Sequence, residues 1–189
     1  MNSLLTTIKF GLSTLLILLS VQISAETLEQ QKPVKGPVIK GYGPVFAIKN
    51  RSVKLPQNFK YKVVFDVLNS PDSADKLNRR IESIARFINM HTINGVKLEN
   101  MDIAAVFHGH AAKDLLNNKA YQEKYLFKNP NIELIEKLRK AGVKFYICGQ
   151  SVRFGGFHKE DLLHPGDLAL SAMTTLVVLQ QQGYQLLPN

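Results

Sequence analysis

The chain has 189 residues, 45% of them hydrophobic, with a formal charge of +9, no tryptophan and a single cysteine. That length supports one domain with a full core. The lysines and arginines are scattered, with neither a block of like charge nor an aromatic-interleaved basic strip, which argues against nucleic acid as a partner.

Residues 1–25 begin with a weakly positive stretch at Lys9, run through Phe10 to Ile23 as a segment rich in Leu, Ile and Val, and reach Ser24-Ala25 before Glu26. This is the layout of an export signal with a small residue at the cleavage position. Its apolar core is shorter than the roughly 20 residues that span a bilayer. The expected mature chain starts near Glu26, is periplasmic and carries +8, which is +9 less Lys9. An uncleaved N-terminal anchor is the alternative.

Residues 26–57 read as an extended Pro/Gly-rich arm, because Pro33, Pro37, Pro44 and Pro56 rule out a helix. Tyr42, Phe46 and Ile48 are too apolar for a free tail, so this stretch is expected to lie against the domain as an edge strand. From residue 58 to 189, strand-like and helix-like stretches alternate. Tyr61 to Leu68 is the first strand. Asn69-Ser70-Pro71-Asp72 offers a helix cap, and Leu77, Ile81, Ile84, Ala85 and Ile88 share one face of a helix expected from Asp72 to about His91, ended by Gly95. Asp102 to Phe107 is a second strand, running into His108-Gly109-His110, with a helix expected from Ala111 to Asn117. Tyr121 to Lys128 has no clear period. Asn131 is expected to cap a helix that carries Ile132, Ile135, Leu138 and Ala141, and Gly142 closes it.

The third strand, Val143 to Ile147, runs into Cys148-Gly149-Gln150-Ser151. A loop or short helix follows from Arg153 to His164, then a strand at Asp167 to Leu170. A helix is expected from Ser171 to Gln182 with Met173, Leu176, Val177 and Leu179 inward, and Tyr184 to Leu187 is the last strand. Such alternation predicts a single three-layer α/β domain, a mainly parallel sheet of about five strands covered by helices on both faces.

In sheets of this kind functional groups gather beyond the carboxyl ends of the strands. Three strand ends carry candidates: Asn69-Ser70, His108-Gly109-His110 and Cys148-Gly149-Gln150-Ser151. Exported proteins usually pair their cysteines, so an unpaired one suggests a working thiol, an intermolecular partner or an unreactive buried residue. The amides of a following helical turn, an imidazolium or Arg153 would raise the thiolate fraction of Cys148. The alternative is a small hydrophobe packed at a strand end. His108 and His110 suit bases, partners of the thiol or metal ligands, but with one cysteine they form a weak metal pattern that lacks a fourth donor. No metal site and no cofactor are assigned. His158 and His164 flank a loop that either covers this edge or is solvated. A serine elbow, a phosphate-cradling Gly-Lys-Ser motif and a dinucleotide Gly-x-Gly-x-x-Gly are all missing from the sequence.

The stretch Tyr61-Lys62-Val63-Val64-Phe65-Asp66-Val67, the His108-Gly109 strand end, the helix into Gly142-Val143, Cys148-Gly149-Gln150-Ser151 and the terminal Leu179-Gln180-Gln181-Gln182-Gly183-Tyr184 resemble the DsrE/DsrF-like sulfur-relay family, over roughly residues 60 to 187. The resemblance implies a compact α/β fold that associates into trimers or hexamers, and a cysteine that carries sulfur as a persulfide, which Cys148 matches. The family's relay proteins are cytoplasmic parts of hetero-oligomers, whereas this chain reads as exported and has an added arm.

The expected function is an exported sulfur carrier or sulfurtransferase. Cys148, His108 and His110 are its catalytic candidates, and Gly149, Gln150, Ser151, Arg153 and Asn69 its substrate-binding candidates. Its expected partners are a sulfur donor or acceptor protein or a small anionic sulfur compound. The alternative is a non-catalytic oligomeric module for a small ligand or partner, with Cys148 structural. Metal binding by His108, His110 and Cys148 is a third reading. The apolar arm and the consecutive apolar residues Leu176 to Leu179 also predict a homo-oligomer, unless the arm covers the last helix within one subunit.

Overall fold

The structure, a computed structural model, describes residues 32–56 and 59–188. The expected export signal and the first residues of the arm lie outside the described residues. In chain order the strands and α-helices are β1 (Val34–Lys35), β2 (Pro44–Val45), β3 (Tyr61–Val67), α1 (Arg79–Ile93), β4 (Met101–Phe107), α2 (Asn118–Tyr125), α3 (Ile132–Lys140), β5 (Lys144–Cys148), α4 (Gly149–Phe154), β6 (Leu168–Ala169), α5 (Ala172–Gln181) and β7 (Gln185–Pro188).

Strands β3 to β7 form one parallel sheet in the order β6-β5-β4-β3-β7. The steps from β3 to β6 all move one way, and the last connection returns past β3. Right-handed crossovers therefore place α1 and α3 on one face and α5 on the other. Side chains alternate along each strand. Val63, Phe65, Ile103, Phe107 and Ile147 meet Ile81, Ile84, Ile88, Leu134 and Leu138 on the first face, while Val64, Val106 and Cys148 group with Ala172, Leu179 and Tyr184 on the second. Each large side chain removed from water contributes about 1.5–3 kcal/mol, so the first face supplies most of the stability.

The arm is held by one buried side chain. Asn89 Oδ1 accepts the Ile39 N–H at 2.9 Å, and its amide donates to the carbonyls of Ile39, Tyr42 and Gly43 at 3.2, 2.9 and 3.3 Å. A proline-rich segment has few ladder donors of its own, and these contacts supply the partners that buried backbone needs. The expected edge strand around Tyr42–Ile48 is thus not on the sheet. β2 pairs antiparallel with β1 in a separate ribbon.

Other departures have local causes. α1 starts at Arg79 and not at Asp72, because Asn78 is its cap, accepting the Arg80 N–H at 2.9 Å. Residues 111–117 form no α-helix; Gly109–Leu115 is 3₁₀ turns. α2 forms in the stretch without a clear period, with Asn117 accepting the Ala120 N–H at 2.9 Å and Leu126 ending it in a left-handed conformation. Met173 and Val177, expected inward, are 78% and 53% exposed, since α5 fully buries only Ala172 and Leu179.

Candidate functional site: a strand-end thiol beside a polar cavity

Cys148 ends β5 and precedes the first turn of α4. Its neighbour on β6 is Ala169, after which Ser171 caps α5, so two helix starts converge on the sulfur. Gly149 is required by close approach: a Cβ there would stand 2.7 Å from the Ala169 carbonyl oxygen, and any larger residue would push β6 away. Burial alone pushes the thiol up. The Ser151 hydroxyl and the backbone N–H groups of Ser151, Ala172 and Gln150 donate to the sulfur and outweigh it, leaving Cys148 below the ordinary thiol value. These donors favour the anion.

The β4–β5 register pairs Phe107 with Ile147, and the next residues are His108 and Cys148. By alternation with Val64 and Val106, Asp66 and His108 project to the same face as Cys148. His108 Nε2–H donates to Asp66 Oδ1 at 2.6 Å. That bond orients the ring and leaves Nδ1 as the ring nitrogen with no partner among the described residues.

On the other side of α4 a cavity of about 470 Å³ opens, with Ser70, Asp72, His110, Lys113, Tyr125 and Ser151 in its lining. Ser151 belongs to both places. Its hydroxyl donates toward Cys148 and accepts the Gly109 N–H at 2.9 Å. Gly109 has φ of +55°, the left-handed turn by which the chain leaves β4 and presents that N–H.

The cavity floor rests on Asp114, which is fully buried. Its carboxylate accepts Ser70 Oγ–H at 2.8 Å, Asn78 Nδ2–H at 2.7 Å, Lys113 Nζ–H at 3.1 Å and Asn131 Nδ2–H at 3.3 Å. Burial pushes the Asp114 carboxyl up, and these donors pull it back only in part. Burial pulls the Lys113 ammonium down, but Asp114 and Tyr121 hold it above the ordinary lysine value. Lys113 also donates to Tyr121 Oη at 3.1 Å.

Among the sequence-derived candidates, Gly149, Gln150 and Ser151 surround the sulfur, and His108 stands at the adjoining strand end. Asn69 and His110 line the cavity instead. Arg153 is exposed in the last turn of α4 and lines no part of it. His164 Nε2–H donates to Glu136 Oε1 at 2.6 Å, tying the loop before β6 to α3. Among the described residues no group of three or more His, Cys, Asp or Glu side chains is placed to hold a metal ion.

Sequence reasoning did not single out Asp66, Lys113, Asp114 or Asn78. A charge at Asp66 inside an apolar strand was the one signal available. The Asp114 carboxylate draws in Ser70, Asn78 and Asn131 from 44, 36 and 17 residues away, and such separations leave no local spacing to find.

Fold and edge together define a class, a parallel α/β domain that holds one thiol at a strand end under converging amide donors. The model of the DsrE/DsrF-like family matches residues 62–188, and the chain belongs to that family. Among solved structures it is similar to MTH1491, a protein of unknown function from Methanobacterium thermoautotrophicum, at 22% identity and a TM-score of 0.50, over 68% of this chain and 99% of that one. It is also similar to the ychN protein from E. coli, at 15% identity and a TM-score of 0.48, with the same coverage. The likeness to MTH1491 speaks for the fold alone. No curated protein matches the chain.

Proposed function

We propose that the protein is an exported carrier of sulfane sulfur, held as a persulfide on Cys148. The observation that carries this reading is the one free thiol among the described residues standing at the end of β5, where the starts of α4 and α5 converge on it. In the loading step the Cys148 thiolate attacks the outer sulfur of a donor R–S–SH. The donor's S–S bond breaks, R–S⁻ leaves, and Cys148 holds S–SH. In delivery His108 Nδ1 takes the proton of an acceptor thiol, whose thiolate attacks the outer sulfur and releases the Cys148 thiolate. Export is supported by the signal-like layout of residues 1–25. The exposed stripe of Met173, Val177 and Val178 on α5 supports a homo-oligomer.

Intact-mass measurement after exposure to inorganic polysulfide tests the carrier: sulfur increments are expected on the wild type and not on Cys148→Ser. Equal labelling of both overturns the reading.

A second reading, a ligand-binding module with a packed cysteine, is favoured by the 6% exposure of Cys148. It requires slow alkylation that speeds up only in denaturant. Fast native alkylation with a midpoint below about 8.5 decides for the carrier.

A further inference from the structure

The cavity beside Cys148 has its own charge balance, and that balance differs from the chain's. The chain as a whole is basic. Within the cavity, however, the Lys113 ammonium is matched by the Asp114 carboxylate at 3.1 Å, and Asp72 adds an exposed carboxylate to the lining. A small dianion would meet one compensated ammonium and one uncompensated carboxylate, so net positive charge is not what this cavity offers.

What it offers is one remaining N–H of the Asp114-paired Lys113 and, apart from it, the exposed Asp72 carboxylate. Lys113 has three N–H donors; Asp114 and Tyr121 take two, and the third has no acceptor among the described residues. Its stem is fixed, with Nζ lying 5.3 Å from the Tyr121 ring centre and 5.5 Å from that of Tyr125. The lining thus presents an immobile donor for a carboxylate and, at Asp72, an acceptor for an ammonium. Phe157, whose ring stands against Gly155 at the end of the helix that carries Ser151, adds aromatic surface to the lining, and aromatic edges suit sulfur. The Ser151 hydroxyl has two lone pairs, of which Gly109 N–H takes one. The second is open to a thiol hydrogen, while the hydroxyl's own hydrogen goes to Cys148.

We infer that this cavity binds a small zwitterionic thiol of amino-acid to short-peptide size, and that the persulfide of that thiol is the sulfur donor for Cys148. A volume of about 470 Å³ accommodates a molecule larger than a simple sulfur anion and lies within the usual range of small-ligand sites. The donor role rests on the persulfide assignment of Cys148; the binding does not. The step balances as loading did above, with the zwitterionic thiolate as R–S⁻.

The test uses cysteinylglycine, its persulfide and inorganic polysulfide as probes on the full chain. Calorimetric titration of Cys148→Ser, which cannot take sulfur, is expected to show saturable cysteinylglycine binding that thiosulfate does not displace. Asp72→Asn changes an exposed side chain and so keeps the fold; it is expected to weaken that binding about tenfold or more. The same substitution is expected to slow loading of Cys148 from cysteinylglycine persulfide by a similar factor while leaving loading from polysulfide unchanged. Lys113→Met is expected to act in the same direction, and a thermal melt reads whether Asp114, left unpaired, has cost the fold. Displacement by thiosulfate, or affinity and persulfide loading both indifferent to Asp72→Asn, overturns the inference while polysulfide loading preserves the carrier. No loading from either sulfur source on the wild type overturns the carrier and the donor role together.

Discussion

The face of the sheet carrying Val63, Phe65, Ile103, Phe107 and Ile147 is closed by α1 and α3, with Ile39 of the arm joining its core. The face carrying Val64, Val106 and Cys148 has α5 over it, and that helix leaves Met173, Val177 and Val178 exposed. One sheet therefore has a side packed for stability and a side that carries a buried thiol, a partly exposed His–Asp pair and an exposed apolar stripe. The difference follows from connectivity. Several crossovers run over the first face and one over the second, so the second has less to bury it and more to present.

Four measurements sharpen or break this contrast. Phe107→Ala, on the closed face, is expected to cost about 3–5 kcal/mol in urea unfolding, whereas Val177→Ala on the open face should stay within about 0.5 kcal/mol. Similar losses at both sites would remove the distinction. The open-face variant is instead expected to lower the mass seen by light scattering if α5 is the interface.

Asn89→Ala strips the arm of its anchor and leaves the Ile39 N–H and three carbonyls short of a partner. A loss of about 1–3 kcal/mol is expected, with hydrogen exchange at Ile39 rising alongside.

Ser151→Ala removes one donor from the sulfur. The midpoint of alkylation against pH is expected to move up toward the ordinary thiol value. Stability follows the same shift. A thiol lowered on folding contributes stability that is complete above the ordinary thiol value of about 8.5 and is lost as pH falls through the folded one. The stability difference between wild type and Cys148→Ser should therefore widen as pH rises across that window, and less so in the Ser151→Ala background.

The smallest effect concerns His91 on the closed face, where burial lowers the imidazole and the Phe87 carbonyl raises it less. Its folded value lies below 6.5, so as pH falls past 6.5 the unfolded chain takes up the proton first. Stability drops across that window until the folded value is passed. His91→Phe should flatten this acid limb in denaturation curves between pH 7 and 5, and an unchanged slope would count against burial as the cause.

The order of elements was legible because hydrophobic period is a local property. Tyr61–Val67, Asp102–Phe107 and Val143–Ile147 announce strands by themselves, and Ile81, Ile84, Ala85 and Ile88 announce a helix. Boundaries were less legible where side chains work at a distance. Asn78 displaced the apparent cap at residues 69–72 because it bonds both to its own helix start and to Asp114. The inward face expected of α5 fails at Met173 and Val177, because the run Leu176 to Leu179 is apolar all round and leaves little polar side to set the helix's rotation.

By itself the sequence determined the parallel α/β architecture, the strand-end positions of His108 and Cys148 and the family resemblance, since periodicity, turn residues and a lone cysteine are all written along the chain. Tertiary structure alone decided that Asp66 orients His108, that the start of α5 donates an N–H to Cys148, and that Ser151 joins the thiol to a cavity whose floor is Asp114. The reason is physical. Hydrogen bonds and burial depend on which segments meet, and Ser151 meets Gly109, or Asn78 meets Asp114 and Asn131, only once the strands have taken their order in the sheet.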